Sequence, residues 1–178
     1  MNSAPEITTE RLRLRPHVVE DMEAFEVFYK TERSEYVGRP KNRTHLWYAF
    51  ASVTGSWALS GWGAWAIETR DGQLVGQVAV SQPPHFPELE LGWILFEGFE
   101  GKGYASEAAK AARDYAFTVL DVPTLVSYVD HRNTRSRALA ERMGAILDPA
   151  AKTYDDVDVV YRHPHPDDNI SDERRAGA

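Results

Sequence analysis

The residues equipped for chemistry sit in two stretches. The first, residues 89 to 118, reads Leu-Glu-Leu-Gly-Trp-Ile-Leu-Phe-Glu-Gly-Phe-Glu-Gly-Lys-Gly-Tyr-Ala-Ser-Glu-Ala-Ala-Lys-Ala-Ala-Arg-Asp-Tyr-Ala-Phe-Thr. It opens as a strand, Leu89 to Leu95, passes through a turn holding Gly98, Gly101 and Gly103, and continues as a helix. Ala105, Ala108, Ala109, Ala112, Ala116 and Val119 fall at helical spacing, and so narrow a stripe lets the helix lie close against a sheet. A glycine turn feeding a helix leaves several N–H groups without intrahelical partners and aims them one way. With the helix dipole behind them, these groups favour an anion, most often a phosphate. A P-loop would place Ser or Thr after Gly101-Lys102, where this chain has Gly103. A dinucleotide fingerprint would place a third glycine at Ser106. Neither fits, and an ordinary strand-to-helix turn is the plain alternative.

The second stretch, Val-Asp-His-Arg-Asn-Thr-Arg-Ser-Arg-Ala-Leu-Ala-Glu-Arg-Met-Gly, ends at Gly144 and carries Asn133 and Ser136 one helical turn apart. The amide of one and the hydroxyl of the other both have protons to offer. Among bases, Glu88 and Glu90 share a strand face with Gly92 and Ile94 by alternation. A carboxylate inside a sheet is costly unless paired or functional. Glu90 is the better general-base candidate, acting through a water, with a salt-bridged strand carboxylate as the plain alternative. His17, His45, His85 and His131 lie on expected loops or element ends without metal-ligand spacing, so they read as surface residues, and only His85 is a further base candidate. Tyr128 and Tyr154 are alternative acids to Ser136.

The elements that must position these groups follow in order. Thr9 to Arg15 alternates apolar and charged residues, which reads as a strand with its arginines on a solvated face. One helix opens at Glu20 and Asp21 and carries Met22, Phe25, Phe28 and Tyr29 on one side. After a loop over Ser34 to Arg43, a second starts near Thr44 as N-cap and runs through Leu46, Trp47, Phe50, Val53 and Trp57 to Gly61. Gly63 to Thr69 and Leu74 to Ser81 form a hairpin around Arg70-Asp71-Gly72-Gln73. A proline-rich loop over Gln82 to Pro87 precedes the glycine stretch. Thr124 to Val129 is a strand, Thr134 to Met143 a helix, and Ala145 to Leu147 and Val157 to Arg162 a last strand pair. One domain spans residues 1–162, followed by a polar tail over 163–178 expected to be partly disordered.

The chain has 178 residues, no cysteine and a formal charge of −7. Disulfides, thiol nucleophiles and cysteine zinc sites are therefore excluded. The charge argues against nucleic acid as the main partner and leans toward a neutral or cationic one. No run approaches a membrane span and Met1 to Pro5 carries no export signal, so a cytoplasmic protein is expected.

Glu100-Gly101-Lys102-Gly103-Tyr104-Ala105 resembles the acetyl-coenzyme A loop of the GNAT superfamily of N-acetyltransferases, Gln/Arg-x-x-Gly-x-Gly/Ala, with Glu100 as a departure. Asn133, Ser136 and Gly144 resemble its second signature, Asn-x-x-Ser before a helix closed by glycine. The opening Thr-Glu-Arg-Leu-Arg-Leu-Arg resembles the branch of ribosomal-protein N-terminal acetyltransferases. The likeness covers about residues 8 to 162 and is strongest from 88 to 144. It implies an α/β fold (α+β mixed), with helices flanking a mixed sheet whose middle strands run parallel and splay apart. It implies acetyl-CoA, with no metal, bound by Gly101, Lys102, Gly103, Tyr104, Ala105 and Ser106, by backbone near Ile94 and Leu95, and by Asn133. A backbone N–H would polarise the thioester, Ser136 would protonate the thiolate and Glu90 would take the amine's proton. The first two helices and their loop would wall an amine acceptor's site, with Tyr36 and Trp47 as contacts. The acceptor itself is not identified by the sequence: a protein N-terminus or a small-molecule amine (an amino acid, a polyamine or an antibiotic amine) is expected, and so is a two-fold homodimer. Two rivals stay open: another nucleotide-binding enzyme, and a non-catalytic acyl-CoA sensor on the same fold.

Overall fold

A computed structural model describes residues 3–166. Its sheet takes the order β1-β2-β3-β4-β5-β6-β8-β7. The strands are β1 (Ile7–Thr8), β2 (Leu12–Arg15), β3 (Ala64–Thr69), β4 (Leu74–Ser81), β5 (Glu90–Leu95), β6 (Val126–Asp130), β7 (Ile146–Leu147) and β8 (Asp158–Arg162). The helices are α1 (Met22–Phe28), α2 (Arg43–Ser60), α3 (Tyr104–Thr118) and α4 (Thr134–Arg142). Every neighbouring pair is antiparallel except β5 and β6. This is the mixed α/β architecture expected.

The alanine stripe explains how α3 lies down. Ala108, Ala109, Ala112 and Ala116 are fully buried against Val75, Val78, Leu91 and Leu125 in one core cluster. A second cluster, Phe25, Phe28, Phe50 and Phe96, seats α1 and α2, with the half-buried Ile94 against it. Strand alternation places Ile94 and Glu90 opposite Leu91 and Trp93, which pack in the α3 cluster. The β4–β5 pairing is tight at Gly76, where any Cβ would lie 2.1 Å from the Ile94 carbonyl oxygen.

Five local expectations are corrected. The first strand is broken: the Thr9 N–H bonds the Leu12 carbonyl at 2.9 Å, a tight turn that separates β1 from β2. Its arginines do not simply face solvent. Arg15 is largely covered and bonds Asp21 and Glu68, the latter also held by Arg13. His17 is buried, its Nδ1 bonding Asp21 at 2.9 Å and its ring lying against Phe25 and Phe50. Helix α2 is capped by Asn42, whose side chain accepts the His45 N–H at 2.9 Å, rather than by Thr44. Part of the expected loop, Glu32–Tyr36, is a 3-10 turn.

Most of the expected tail lies outside the described residues. His163, at its head, belongs to the fold. It is buried, its N–H extends the β8 ladder to the Leu125 carbonyl, and its Nε2 meets Ser127 Oγ at 2.9 Å.

Candidate active site

Strands β5 and β6 are registered at a single residue pair, Glu90 with Val126, where the Val126 N–H bonds the Leu89 carbonyl. Beyond that point they splay. The Leu91 carbonyl, facing the gap, is taken at 2.6 Å by the Ser127 hydroxyl rather than by a strand N–H. That spends the hydroxyl proton, so His163 Nε2 must donate to Ser127. Burial and then the Arg113 charge push the His163 pKa down to about 4, consistent with a neutral ring. By the same alternation, Trp93 and Leu95 turn their backbone groups toward the gap. Ile94 does not, because its carbonyl points at Gly76 on β4.

The gap opens into a cleft of about 1150 Å³, lined by β5, the glycine turn, the start of α3, the start of α4 and the Glu32–Tyr36 turn. Gly101, Gly103, Tyr104, Ala105, Ser106, Ile94, Leu95, Asn133, Ser136 and Tyr36 all line it. The backbone N–H groups of residues 101–106 donate to nothing among the described residues. Gly103 caps α3 in the left-handed region with φ 81°, which turns this row of donors outward. Behind the turn, Glu107 is fastened by Thr9 and by Arg11, whose guanidinium also bonds the Lys102 carbonyl at 2.7 Å and lies over the Tyr104 ring. The expected solvated arginine is a brace for the turn.

Helix α4 presents two proton donors. Asn133 Oδ1 accepts the Ser136 N–H at 3.1 Å as an N-cap, which leaves the amide NH₂ for a ligand. Ser136 Oγ accepts from the Trp93 indole N–H at 3.3 Å, across the gap, so its own proton remains available. Trp93 was not anticipated in this role.

Glu90 sits on the other face of β5 and does not line the cleft. Its carboxylate reaches along the strand to Gly92, where an added Cβ would lie 3.3 Å from Oε2. The residue is half-buried. Burial, reinforced by the Asp158 charge, pushes its pKa up to about 8, against a stabilising hydrogen bond from Tyr128 backbone. Asp158 is itself raised, first by burial and then by neighbouring carboxylates. Glu88, by contrast, is clamped by both nitrogens of the Arg162 fork at 2.7 and 2.9 Å, which holds it below the usual carboxylate range. His85, Phe86, Tyr128 and Tyr154 form one aromatic group, with Phe86 stacked on Tyr154 at 4.4 Å. Burial, followed by the Asp158 and Glu90 charges, raises the Tyr154 pKa.

The Lys102 side chain and one expected acceptor contact lie outside the cleft lining. Lys102 is exposed with its ammonium over the Phe99 ring, outside the cleft lining. Trp47 is 45% exposed on the outer side of α2, because Leu46 and Phe50 take the inward positions. Conversely, four arginines that the motifs did not point to line the cleft: Arg33, Arg132, Arg135 and Arg142, against Glu32 and Glu100. In a chain of charge −7, that local excess of cations suits a polyanionic ligand.

Comparison with known proteins agrees with this geometry. A family model described as "Acetyltransferase (GNAT) domain" matches residues 11–146. The chain belongs to the GNAT acetyltransferase family. A solved acetyltransferase from Agrobacterium tumefaciens is 46% identical, with TM-score 0.88 over 92% of this chain and 96% of that one. RimL, a ribosomal-protein alpha-N-acetyltransferase solved with coenzyme A, shares the fold at 17% identity, TM-score 0.73, covering 90% of this chain and 98% of its own. A spermidine N(1)-acetyltransferase of Escherichia coli is 35% identical over 75 residues, 42% of this chain and 40% of its own length. This GNAT protein is therefore an acyltransferase, of a family that uses acetyl-CoA. Among the described residues no helix is long and apolar enough to cross a membrane.

Proposed function

We propose that this enzyme moves the acetyl group of acetyl-CoA to a primary amine by direct attack in a ternary complex. One observation carries the reading: β5 and β6 part beyond a single register pair, and the cleft that opens there is lined by the glycine turn, whose N–H groups stay unpaired among the described residues. Acetyl-CoA supplies the activated thioester. Residues 101–106 hold its phosphates, and the gap-facing backbone of Trp93 and Leu95 holds its arm and polarises its carbonyl. The amine enters from the Glu90 side, where the chain offers carboxylates and the Tyr128–Tyr154 aromatic group to an acceptor that arrives as a cation. Glu90 accepts the proton that the nitrogen must lose, directly or through a water. The nitrogen takes the acetyl group as the carbon–sulfur bond breaks, Ser136 gives its proton to the departing thiolate, and the second proton shed by the nitrogen restores the Ser136 hydroxyl through solvent.

A screen of amines with detection of free thiol tests this, with spermidine and a ribosomal-protein N-terminal peptide as the first acceptors. Thiol release that depends on an amine supports the proposal; binding of acetyl-CoA without turnover on any amine refutes it. Within the site, Ser136→Ala should lower kcat by roughly 10²-fold with little change in cofactor affinity, since its donation matters only in the transition state. Asn133→Ala should instead weaken cofactor binding and cost about 1 kcal/mol of stability through the lost cap. Kinetics and thermal unfolding of the two variants separate these outcomes. Equal, negligible effects would leave both residues as helix-start structure alone.

Association as a homodimer in the cytoplasm completes the proposal. Trp47, Tyr48 and Leu59 leave large apolar surface on the outer side of α2. Sedimentation at micromolar concentration should give a dimer mass, and a monomer would rule out the dimer there.

A further inference from the structure

We infer that Arg33 is a cofactor-binding residue that gives up the Leu95 carbonyl for a phosphate of the ligand while keeping Glu100 neutralised. The inference rests on the cleft being the acetyl-CoA site. Arg33 projects from the Glu32–Tyr36 turn, remote in sequence from both signatures. Its Nε and Nη2 donate to the Leu95 carbonyl at 3.2 and 3.1 Å, and its Nη1 bonds the Glu100 carboxylate. Both partners belong to the cleft.

The Leu95 carbonyl faces the gap, where it is an acceptor for the amide of an extended ligand. Such a ligand can use it only if Arg33 lets go. Glu100 stands at the head of the turn whose N–H groups collect an anion. Burial works against its charge, but its own N–H, the Arg33 charge, the Gly98 N–H and the Arg135 charge keep its pKa below the usual carboxylate range. An unneutralised carboxylate there would repel phosphate, and Arg33 is its only salt-bridge partner among the described residues. Phosphate and Glu100 can share one guanidinium, since the fork carries five donors.

Two other cations near the turn are committed elsewhere. Arg11 is held by Glu107 behind the turn, and Arg132 is locked in a fork by Asp130 beneath the Tyr36 ring. Arg135 and Arg142 also line the cleft, but Arg33 is the arginine bonded to both the Leu95 carbonyl and the Glu100 carboxylate, and so the one placed to switch between those groups and a ligand. The arrangement explains how a glutamate is tolerated where the family motif has Gln or Arg: the missing positive charge arrives from a different element.

The test measures dissociation constants on the ligand-free protein for acetyl-CoA and for S-acetylpantetheine, which lacks the phosphates. Arg33→Gln should weaken acetyl-CoA binding at least tenfold at low salt and leave S-acetylpantetheine within about twofold. Arg33→Lys should recover part of the loss. Glu100→Gln, which frees the guanidinium, should bind acetyl-CoA as tightly as wild type or more tightly. Acetyl-CoA binding within twofold of wild type in Arg33→Gln would overturn the inference. So would equal losses for both ligands, which would mark Arg33 as a prop for the turn. If Arg33→Gln does not fold, a tenfold loss of acetyl-CoA affinity in Glu100→Gln overturns it as well. Wild-type protein that fails to bind acetyl-CoA at all would instead sink the assignment of the cleft.

Discussion

Glu90→Gln should lower turnover by roughly 10²- to 10⁴-fold at neutral pH while leaving acetyl-CoA affinity unchanged. The substitution keeps the shape beside Gly92 and removes the proton acceptor. In the native enzyme the activity should climb with pH as Glu90 ionises, since burial and Asp158 place its pKa at about 8. The deficit of the variant should shrink at high pH, where solvent supplies free amine. Asp158→Asn removes one cause of the raised pKa, so the rising limb of kcat against pH should move to lower pH. Glu88→Gln is the control: that carboxylate is tied to Arg162 and should matter little to turnover. Stability gives an independent readout. A carboxyl whose folded pKa lies above its unfolded value favours folding most below the unfolded pKa of 4.5 and loses that contribution as pH rises through about 8. Wild type should therefore lose more stability than Glu90→Gln between those two values in denaturant titrations. Near-normal turnover of Glu90→Gln across the pH range would move the base to His85 or to an amine that arrives neutral.

What the sequence revealed and what it hid divide along a physical line. Features written in local spacing were legible: the alanine stripe of α3 and the glycine turn before it. The parallel, splayed middle strands came from the family resemblance, and the single β5–β6 register pair agrees with it. Contacts between distant residues left no periodic trace. The Arg11–Glu107 brace joins residues 96 apart, the Arg33–Glu100 pair 67 apart, and Trp93 with Ser136 43 apart. An arginine in an alternating strand looks solvated until its partner's element is known. Trp47 failed for a related reason. Helical spacing says which residues share a stripe, but Leu46 and Phe50 decide which stripe is buried, leaving Trp47 outside.

Gly103→Val should abolish acetyl-CoA binding in a chain that still folds. At φ 81° the residue occupies backbone space that a β-branched side chain resists, at a cost of about 1–3 kcal/mol. The clash is also directional: an added Cβ would meet the Arg11 guanidinium at 3.2 Å and push on the group that holds the Lys102 carbonyl. The start of α3 must then shift, and the N–H groups of residues 101–106 lose their common aim. Backbone strain alone would also perturb the protein, so Gly98→Val serves as the matched control. Gly98 has φ 86°, open space around it, and no place in the cleft lining. Acetyl-CoA at ~100 times its dissociation constant should stabilise wild type by roughly 2.7 kcal/mol. Gly98→Val should keep that ligand-induced gain on a lowered baseline, and Gly103→Val should show none. Circular dichroism confirms that each variant is folded before the comparison is made. A folded Gly103→Val protein with the full gain would mean that the phosphates bind elsewhere, and the row of free N–H groups would revert to an ordinary helix start.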